Sequence, residues 1–447
     1  MNALLEQAAR EIARRGGRAL LVGGCVRDAL LGRPSQDIDC EVHGLAQEEL
    51  LAAISPLGEI DRSGEAYGVY TLSAAHIDFA LPRRETRTGA RHGDFSVTLL
   101  PELSPTQAAA RRDFTVNAIM RDALTGEILD PYGGCEDLRR GVLRAVPGGQ
   151  FEEDPLRVLR GAQFAARFHL VPDAETLCAM RRMPLDALSP ARVMDECKKA
   201  LLDSDEPDVF FRVLEQAGAL SPWFAELAPL KNAPQNPKHH PEGDAFEHTM
   251  LTLRAAAQWR AQADDPLAFM LAALTHDLGK PATVRQNERG DWQAPGHELA
   301  GVAPLTEMLT RLCAGKQTIA YCASLCRLHM RVHTCYYRQE GEAETNAVFD
   351  ACPWPRALAQ LVICDVYGTG AGLPKKQAEE AFVMERLRRY EDAASRGMPT
   401  GDMLLSAGAA PGPGMKALLL RARQLALSGM ASDAAVRAAL REERENG

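Results

Sequence analysis

Apolar and polar positions follow two different periods along this chain. Between about 20 and 130, short apolar runs such as LLVGG and HIDFALP alternate with turn residues, which predicts a small mixed sheet with a few helices. From about 150 onward, apolar residues recur at helical spacing, as in LRVLRGAQFAARF. The pattern therefore predicts an α+β protein in which a mixed-sheet head is followed by all-helical segments.

Two stretches rich in helix-breaking residues interrupt the helical part. The sequence LKNAPQNPKHHPEGD at 230–244 indicates a linker, and APGPGM at 410–415 indicates a break near the C-terminus. We therefore divide the chain into a head, a helical neck and body, a histidine-bearing helical domain and a helical tail, with predicted boundaries at 1–148, 149–229, 230–372 and 373–447.

Composition narrows the class of protein. No apolar run reaches the roughly 18 residues of a membrane span, and the charged N-terminus lacks the apolar core of a signal peptide. The 11 cysteines include no CxxC pair, so we expect them to be reduced and mostly part of the core. The net charge of −9 does not by itself indicate a nucleic-acid partner. We expect a cytoplasmic protein with no membrane partner, and the sequence leaves monomer and homodimer open.

Two carboxylates stand inside an apolar run that is predicted to be a strand. Asp37 and Asp39 are two residues apart, so their side chains face the same way. They would repel each other unless a cation lay between them, and Mg²⁺ is typically held by one or two carboxylates together with substrate phosphates. Asp78, in the nearby run HIDFALP, is the candidate for a third acidic residue. The sequence therefore predicts a magnesium site in the head.

A glycine pair precedes these carboxylates. Gly23 and Gly24 come directly before a predicted helix, where backbone N–H groups and the positive helix N-terminus can receive a phosphate. Arg27 lies one turn into that helix and is placed to clamp a triphosphate. Glycines and carboxylates together predict a site for a nucleoside triphosphate.

The predicted helix at 153–168 carries a polar ridge. Asp154, Arg157 and Arg160 recur every three residues and so lie along one edge of the helix. An arginine donates and an aspartate accepts hydrogen bonds, so together they can address the Watson–Crick edge of cytosine or adenine. Such pairing discriminates well, because a wrong base leaves buried polar groups unpaired.

The complete string GGxVRDxLLGxxxxDxD resembles the active-site signature of polymerase-β-like nucleotidyltransferases. Within these it is similar to the class of CCA-adding tRNA nucleotidyltransferases and bacterial poly(A) polymerases. RRDFTVNAIM at 111–120 and EEDPLRVLRGAQFAARF at 152–168 match two further motifs of that class, and the resemblance covers about 15–225. It implies template-independent addition of CCA to the 3′ end of tRNA from CTP and ATP, with Mg²⁺ as cofactor.

The resemblance also implies roles for single residues. It assigns metal binding and catalysis to Asp37, Asp39 and Asp78, phosphate contacts to Gly24 and Arg27, a nucleotide contact to Arg112, base contacts to Asp154 and Arg157, and support of nucleotide binding to Arg160. One position departs from the class, because Gln163 stands where the next arginine of the ridge is usual. Glutamine keeps the hydrogen bonding but loses the charge. The polar stretch 83–97 resembles the flexible loop that this class uses near its active site.

Other functions remain open at this point. Poly(A) polymerases, and enzymes that add only CC or only A, share the motifs of the head. A non-catalytic RNA-binding or regulatory protein is the alternative from another class, although intact Asp37, Asp39 and Asp78 argue against it.

A second group of motifs lies in the histidine-bearing domain. KHHPEGDAFEHT at 238–249 and LTHDLGK at 274–280 resemble the HD-type metal phosphohydrolase domain of some bacterial CCA-adding enzymes. By position, the resemblance implies the metal ligands His248, His276, Asp277 and Asp365. Mixed histidine and aspartate ligands suit a transition metal such as Ni²⁺ or Mn²⁺ better than Mg²⁺. Further along, His297 and His329 would bind a second metal or handle substrate phosphate.

The resemblance implies hydrolysis of 2′,3′-cyclic phosphates, 2′-nucleotides and phosphomonoesters, which would repair damaged RNA ends. A purely structural HD domain is the alternative.

Overall fold

The computed structural model describes residues 3–34, 37–87, 95–148 and 151–446. The chain forms two compact units, one of Met1–Ser189 with Val213–Ala219 and one of Pro190–Arg212 with Leu220–Gly447. The finer division into four domains stays a prediction.

The strands lie mainly in the first unit. They are β1 (Arg18–Val22), β2 (Ile38–His43), β3 (Ile60–Asp61), β4 (Val69–Leu72), β5 (Ile77–Ala80), β6 (Arg83–Arg87), β7 (Phe95–Leu99), β8 (Met120–Asp122), β9 (Ile128–Leu129), β10 (Val142–Leu143) and β11 (Val171–Pro172), followed in the second unit by β12 (Arg285–Gln286) and β13 (Trp292–Gln293). Seven of them form one sheet in the order β3-β4-β5-β2-β1-β8-β9. β6 pairs with β7, and the tip of this predicted loop, 88–94, lies outside the described residues.

The helices of the first half are α1 (Ala3–Arg14), α2 (Gly24–Leu30), α3 (Gln47–Ile54), α4 (Pro105–Ala109), α5 (Gly134–Arg140), α6 (Leu156–Phe168), α7 (Ala174–Arg181), α8 (Pro190–Asp203) and α9 (Asp208–Gln216). Those of the second half are α10 (Ala245–Trp259), α11 (Pro266–Thr275), α12 (Lys280–Thr283), α13 (His297–Ala300), α14 (Val302–Arg311), α15 (Lys316–Tyr337), α16 (Glu342–Ala351), α17 (Pro355–Gly368), α18 (Leu373–Ala394), α19 (Gly401–Ser406), α20 (Met415–Leu427) and α21 (Ser432–Asn446).

The central strand β2 has two different faces. Cys40 and Val42 are fully buried in a core that also contains Ile12 of α1 and Leu50 of α3. The alternate position Asp39 faces the other side of the sheet, as the period of two in a strand requires. The helices α1 and α3 therefore cover one face of the sheet and leave the opposite face available for polar side chains.

The second unit is almost entirely helical. In α11 every residue from 268 to 275 is buried, so this helix lies at the centre and packs against α10, α15 and α17. α19 ends at Ser406 and α20 begins at Met415, which confirms the predicted break. Among the described residues, no helix combines the length and apolarity that crossing a bilayer requires. The α+β prediction, with a mixed-sheet head and a helical remainder, is confirmed.

Candidate functional site

The three predicted carboxylates meet on the polar face of the head sheet. β2 and β5 are parallel neighbours whose register places Asp39 directly beside Asp78. Burial raises the pKa of Asp39; Arg112 opposes this shift, and the negative charges of Asp78 and Asp37 add to it. Asp78 also accepts a hydrogen bond from Thr71 at 2.5 Å. Clustered oxygen ligands of this kind suit Mg²⁺.

The glycine pair brings backbone close to this cluster. Gly23 has φ +71°, a conformation that favours glycine, and a Cβ there would lie 3.7 Å from Asp39 Oδ2 and 3.4 Å from Arg112 Nη1. A Cβ on Gly24 would lie 3.5 Å from Arg27 Nη2. The turn into α2 therefore passes within contact distance of the Asp39 carboxylate and of two arginines.

Arg27 is held by the protein itself. Its side chain is buried, its Nη1 donates to Asn117 Oδ1 at 2.7 Å, and its Nε and Nη2 donate to Asp28. Its guanidinium lies 4.0 Å from the ring centroid of Phe168 on α6. These contacts brace α2 against α6, while a phosphate contact of Arg27 stays a prediction.

The segment 111–113 connects the carboxylates to α6. The backbone carbonyl of Arg111 accepts a hydrogen bond from Arg157 at 2.8 Å, and the Asp113 carboxylate accepts from Arg160 at 2.7 Å. The other oxygen of Asp113 accepts from Asn117 at 2.8 Å. The predicted base-contacting ridge is therefore fixed to the segment that also carries Arg112.

The buried pair of Glu41 and His43, which lies close to Arg112, was not predicted from the sequence. Glu41 on β2 lies 3.0 Å from His43 Nε2, 3.2 Å from Arg111 and 3.8 Å from Arg112. Burial opposes the charge of Glu41, but the hydrogen bond from His43 and the charges of the two arginines outweigh it and lower its pKa to about 2. Glu41 thereby anchors both arginines on the face of β2 that also carries Asp39. Its sequence signal was weak, since one acidic residue in a strand is common.

Arg157 lies in the first turn of α6, whereas Asp154 precedes the helix, because α6 begins at Leu156 and not at the predicted 153. Asp154 accepts a hydrogen bond from the backbone of Leu156 at 3.0 Å. Burial lowers the pKa of Arg157, and the charges of Asp113 and Asp154 oppose that shift, so the two candidate base-contacting residues are electrostatic neighbours. Gln163, at the departing position, is 1% exposed, and its amide nitrogen makes no hydrogen bond within the described part of the chain.

The second candidate site lies among the helices of the second unit. Asp277 follows α11, and its Oδ2 is 3.2 Å from His276 Nε2 and 3.6 Å from His248 Nε2. All three side chains are buried, and together they form a group able to hold a metal ion. Asp365 on α17 lies 2.8 Å from His248 Nε2, so the fourth ligand implied by the sequence joins this group through His248.

This site extends beyond the four residues. Asp277 Oδ1 is 3.1 Å from His297 Nε2 and 3.9 Å from His329 Nε2, which makes a second possible group. His240 and Glu242 form a third with His248.

Several atoms of the second site lack their usual partners. Both oxygens of Asp277 and Nε2 of His276 are buried and, among the described residues, make no hydrogen bond of acceptable geometry. Lys280 Nζ lies 2.5 Å from Asp277 Oδ2 and forms an ion pair with it, but the geometry of this contact is not that of a hydrogen bond. Buried polar atoms are almost always paired, so the donor set fits a metal ion.

Comparison with known proteins identifies the family of this chain. Residues 19–144 match the family model of the poly A polymerase head domain. A multifunctional CCA protein of Xanthomonas campestris pv. campestris (strain B100) is 37% identical over 425 residues, which cover 92% of this chain and 93% of that protein. This chain belongs to the family of multifunctional CCA proteins.

A further member of the family, from Chromobacterium violaceum, is 39% identical over 326 residues, covering 71% of this chain and 74% of its own. Among solved structures, a CCA-adding enzyme in complex with CTP has a TM-score of 0.66 at 17% identity, covering 99% of this chain and 94% of that one. The Thermotoga maritima CCA-adding enzyme complexed with tRNA_CCA has a TM-score of 0.64 at 17% identity, with coverage of 98% and 95%. At these identities the structures establish a shared fold.

In this multifunctional CCA family member, the second site has supporting residues that the sequence did not single out. Asp365 Oδ2 is 2.9 Å from His333 Nε2, and His333 Nδ1 is 2.7 Å from Glu379. Burial favours neutral His333, but the charge of Asp365 and hydrogen bonds to both carboxylates raise its pKa to about 10. His333 follows His329 by one helical turn in RLHMRVH, and that spacing was the available signal.

A cavity of about 690 Å³ opens onto the second site. Asp277, His297, His333 and Asp365 are among the residues that line it. The rest of its wall includes basic and aromatic side chains, among them Lys280, Lys375, Lys376, Arg338, Trp292 and Tyr337. The combination suits a small anionic ligand.

Proposed function

We propose that this protein adds CCA to the 3′ end of tRNA, using CTP and ATP and releasing pyrophosphate. The observation that carries the proposal is the register of β2 and β5, which sets Asp39 beside Asp78 on the polar face next to Arg112. Membership in the multifunctional CCA family supports it, as do the solved relatives of the same fold that bind CTP, ATP and tRNA.

The chemistry requires no protein nucleophile. The 3′ hydroxyl of tRNA attacks the α-phosphate, and pyrophosphate leaves. Asp37 and Asp39, with Asp78, would hold Mg²⁺, which supplies charge stabilisation to the attacking and leaving oxygens. Arg112 adds positive charge beside the carboxylates, and the backbone at Gly24 offers room for the phosphates.

Base selection falls to α6. Asp154 accepts and Arg157 donates, which matches the amino donor and the ring-nitrogen acceptor that cytosine and adenine each present. Arg160 is tied to Asp113 at 2.7 Å, so it supports this edge of the helix by holding α6 against the 111–113 segment.

One experiment separates this function from its alternatives. A tRNA that lacks its last three nucleotides is incubated with Mg²⁺ and labelled CTP, ATP, both or neither. We expect two C residues with CTP alone, and CCA followed by a stop with both nucleotides. Long A tails would identify a poly(A) polymerase, a stop after CC or addition of A alone would identify a partial enzyme, and absence of incorporation would favour a non-catalytic RNA-binding protein.

The base-selecting role of α6 makes a separate prediction. Asp154→Ala and Arg157→Ala are each expected to reduce the preference for CTP and ATP over UTP and GTP by about 10- to 100-fold, since one good base contact contributes about 1–3 kcal/mol. The measurement is kcat/KM for all four nucleotides on the same tRNA.

Glu152→Ala is the matched control, because Glu152 is an exposed acidic side chain just before Asp154. An equal loss for all four nucleotides would contradict a role in base selection.

We further propose that residues 230–372 form an HD phosphohydrolase domain acting on 2′,3′-cyclic phosphates, 2′-nucleotides and phosphomonoesters. His248, His276, Asp277 and Asp365 would hold a transition metal such as Ni²⁺ or Mn²⁺, which supplies Lewis acidity. The buried oxygens of Asp277, for which the described residues offer no aligned hydrogen-bond donor, support this assignment. Lys280 and the cavity lysines would bind the phosphate.

A further inference from the structure

A buried carboxylate stands on β2 next to the proposed magnesium site. Glu41 follows Asp39 by two positions, so both side chains face the same side of the sheet. Asp39 is exposed, whereas Glu41 is only 2% exposed. Glu41 Oε1 lies 3.0 Å from Nε2 of His43, the next residue on that face. The strand therefore carries one carboxylate open to substrate and a second one closed to it.

The other oxygen of Glu41 faces two adjacent arginines. Glu41 Oε2 is 3.2 Å from Arg111 Nη2 and 3.8 Å from Arg112 Nη2. Burial lowers the pKa of Arg111, the charge of Arg112 lowers it further, and the charge of Glu41 opposes both effects. The carboxylate thus offsets the repulsion between two neighbouring guanidinium groups, and both of them can lie against β2.

Arg112 extends from Glu41 to the turn where phosphates are expected to bind. Its Nη2 atom faces Glu41, and its Nη1 atom lies 3.4 Å from the position that a Cβ on Gly23 would take. Burial raises the pKa of Asp39, and the charge of Arg112 opposes this rise. One guanidinium group therefore lies between the buried carboxylate and the exposed one.

The two carboxylates compete for this arginine. Opposite charges a few Å apart attract each other, so without the charge of Glu41 the side chain of Arg112 would pair with Asp39. Such an ion pair would occupy the carboxylate proposed for Mg²⁺ and turn the arginine donors away from phosphate. Because the guanidinium group is planar and rigid, holding Nη2 at Glu41 also fixes the direction of Nη1.

We propose that Glu41 is a positioning residue for the incoming nucleotide, and that it holds Arg112 so that Nη1 meets the triphosphate beside Gly23. This inference rests on the proposed nucleotidyl transfer and adds to it a residue that acts through an arginine and not by contact with the nucleotide. The backbone carbonyl of Arg111 accepts a hydrogen bond from Arg157, so the same carboxylate also supports the base-selecting helix.

Equilibrium binding of CTP to the full-length protein tests the proposal, measured by isothermal titration calorimetry at saturating Mg²⁺. Glu41→Gln keeps nearly the shape of the side chain and removes its charge. We expect this variant to bind CTP about 10-fold more weakly, because one charge-assisted contact is worth about that factor. A direct electrostatic effect would have the opposite sign, since removing a negative charge strengthens the binding of an anion.

A double-mutant cycle shows whether Glu41 acts through Arg112. Arg112→Gln alone is expected to weaken CTP binding to a similar extent, and Glu41→Gln is expected to cause no further loss in that background. A general structural effect of Glu41 would be independent of Arg112, and the two losses would then add.

Asp122→Asn is the matched control, because Asp122 is a buried carboxylate of the same sheet whose partner is Arg18, at 2.7 Å. We expect this variant to have a lower melting temperature and the natural affinity for CTP. Glu41→Asp carries the test if Glu41→Gln does not fold. It keeps the buried charge but draws the carboxylate back from Arg112 by one methylene, so the same loss and the same dependence on Arg112 are expected.

The outcomes separate this inference from the proposed transferase. Natural affinity for CTP in the folded Glu41 variants, or a loss that adds to that of Arg112→Gln, would overturn the positioning role even if the protein adds CCA. Binding of CTP that depends on Glu41 through Arg112, in a protein that adds no nucleotide to tRNA, would support the positioning role and refute the transferase.

Discussion

Asp39→Asn is expected to reduce nucleotide incorporation into tRNA by about 10³-fold. Asn has the size of Asp but no charge, so the cluster with Asp78 loses one of the carboxylates proposed to hold Mg²⁺. Such a metal stabilises the transition state by several kcal/mol, and about 4 kcal/mol corresponds to roughly a thousandfold in rate. The measurement is single-turnover incorporation of labelled CTP at saturating Mg²⁺.

Stability provides an internal check on this variant. The pKa of Asp39 is raised in the folded protein, so its charged form is disfavoured there. The charge therefore lowers the free energy of unfolding at neutral pH, and this destabilisation disappears as the pH falls and Asp39 is protonated. Without Mg²⁺, Asp39→Asn is therefore expected to melt at the same temperature as the natural protein or slightly above it. A lost activity would then reflect chemistry and not unfolding.

A matched control separates this carboxylate from other acidic residues of the sheet. Asp61 is exposed on β3, and Asp61→Asn is expected to retain full incorporation. Activity of Asp39→Asn within tenfold of the natural protein would exclude Asp39 from the metal site.

His276→Ala is expected to abolish hydrolysis of 2′,3′-cyclic AMP, with a loss of about 10³-fold in kcat. His276 is fully buried and its Nε2 atom has no hydrogen-bond partner among the described residues, so its proposed function is ligation. Losing one of few protein ligands weakens the binding of the metal, and without the metal the site lacks a Lewis-acid contribution of several kcal/mol. The measurement is release of the ring-opened nucleotide with Ni²⁺ or Mn²⁺ in excess.

The two substitutions should have opposite effects on the two activities. His276→Ala is expected to add CCA at the natural rate, and Asp39→Asn to hydrolyse the cyclic phosphate at the natural rate. His169→Asn should leave both unchanged. If the purified natural protein and His276→Ala show the same background turnover, the HD domain has a structural role only.

Sequence motifs named the residues of the candidate head site, because its proposed chemistry is carried by short strings. The period of two in a strand places Asp37 and Asp39 on one face from the sequence alone. Their approach to Asp78 needed the fold, since parallel pairing of β2 with β5 joins segments about 40 residues apart. The sequence supplied the residues, and strand register supplied their contact.

The network that holds these motifs together was not visible beforehand. Arg27 donates to Asn117, Asn117 donates to Asp113, and Asp113 accepts from Arg160, so three motifs form one chain of hydrogen bonds. Each residue stood inside a recognised string, yet its partner depends on side-chain packing. Arg27, expected to contact phosphate, has most of its donors engaged by the protein.

By itself the sequence determined the α+β class, the change from sheet to helices, and the residue types at both sites, because these depend on local periodicity and short motifs. Only the tertiary structure decided how the histidines share Asp277. His248 and Asp365 are 117 positions apart in the sequence. The side-chain atoms of the site come together only when the helices that carry them have packed, namely α10, α11, α13, α15 and α17. Local patterns specify which face a side chain occupies, whereas the direction of a lone pair depends on packing between distant segments.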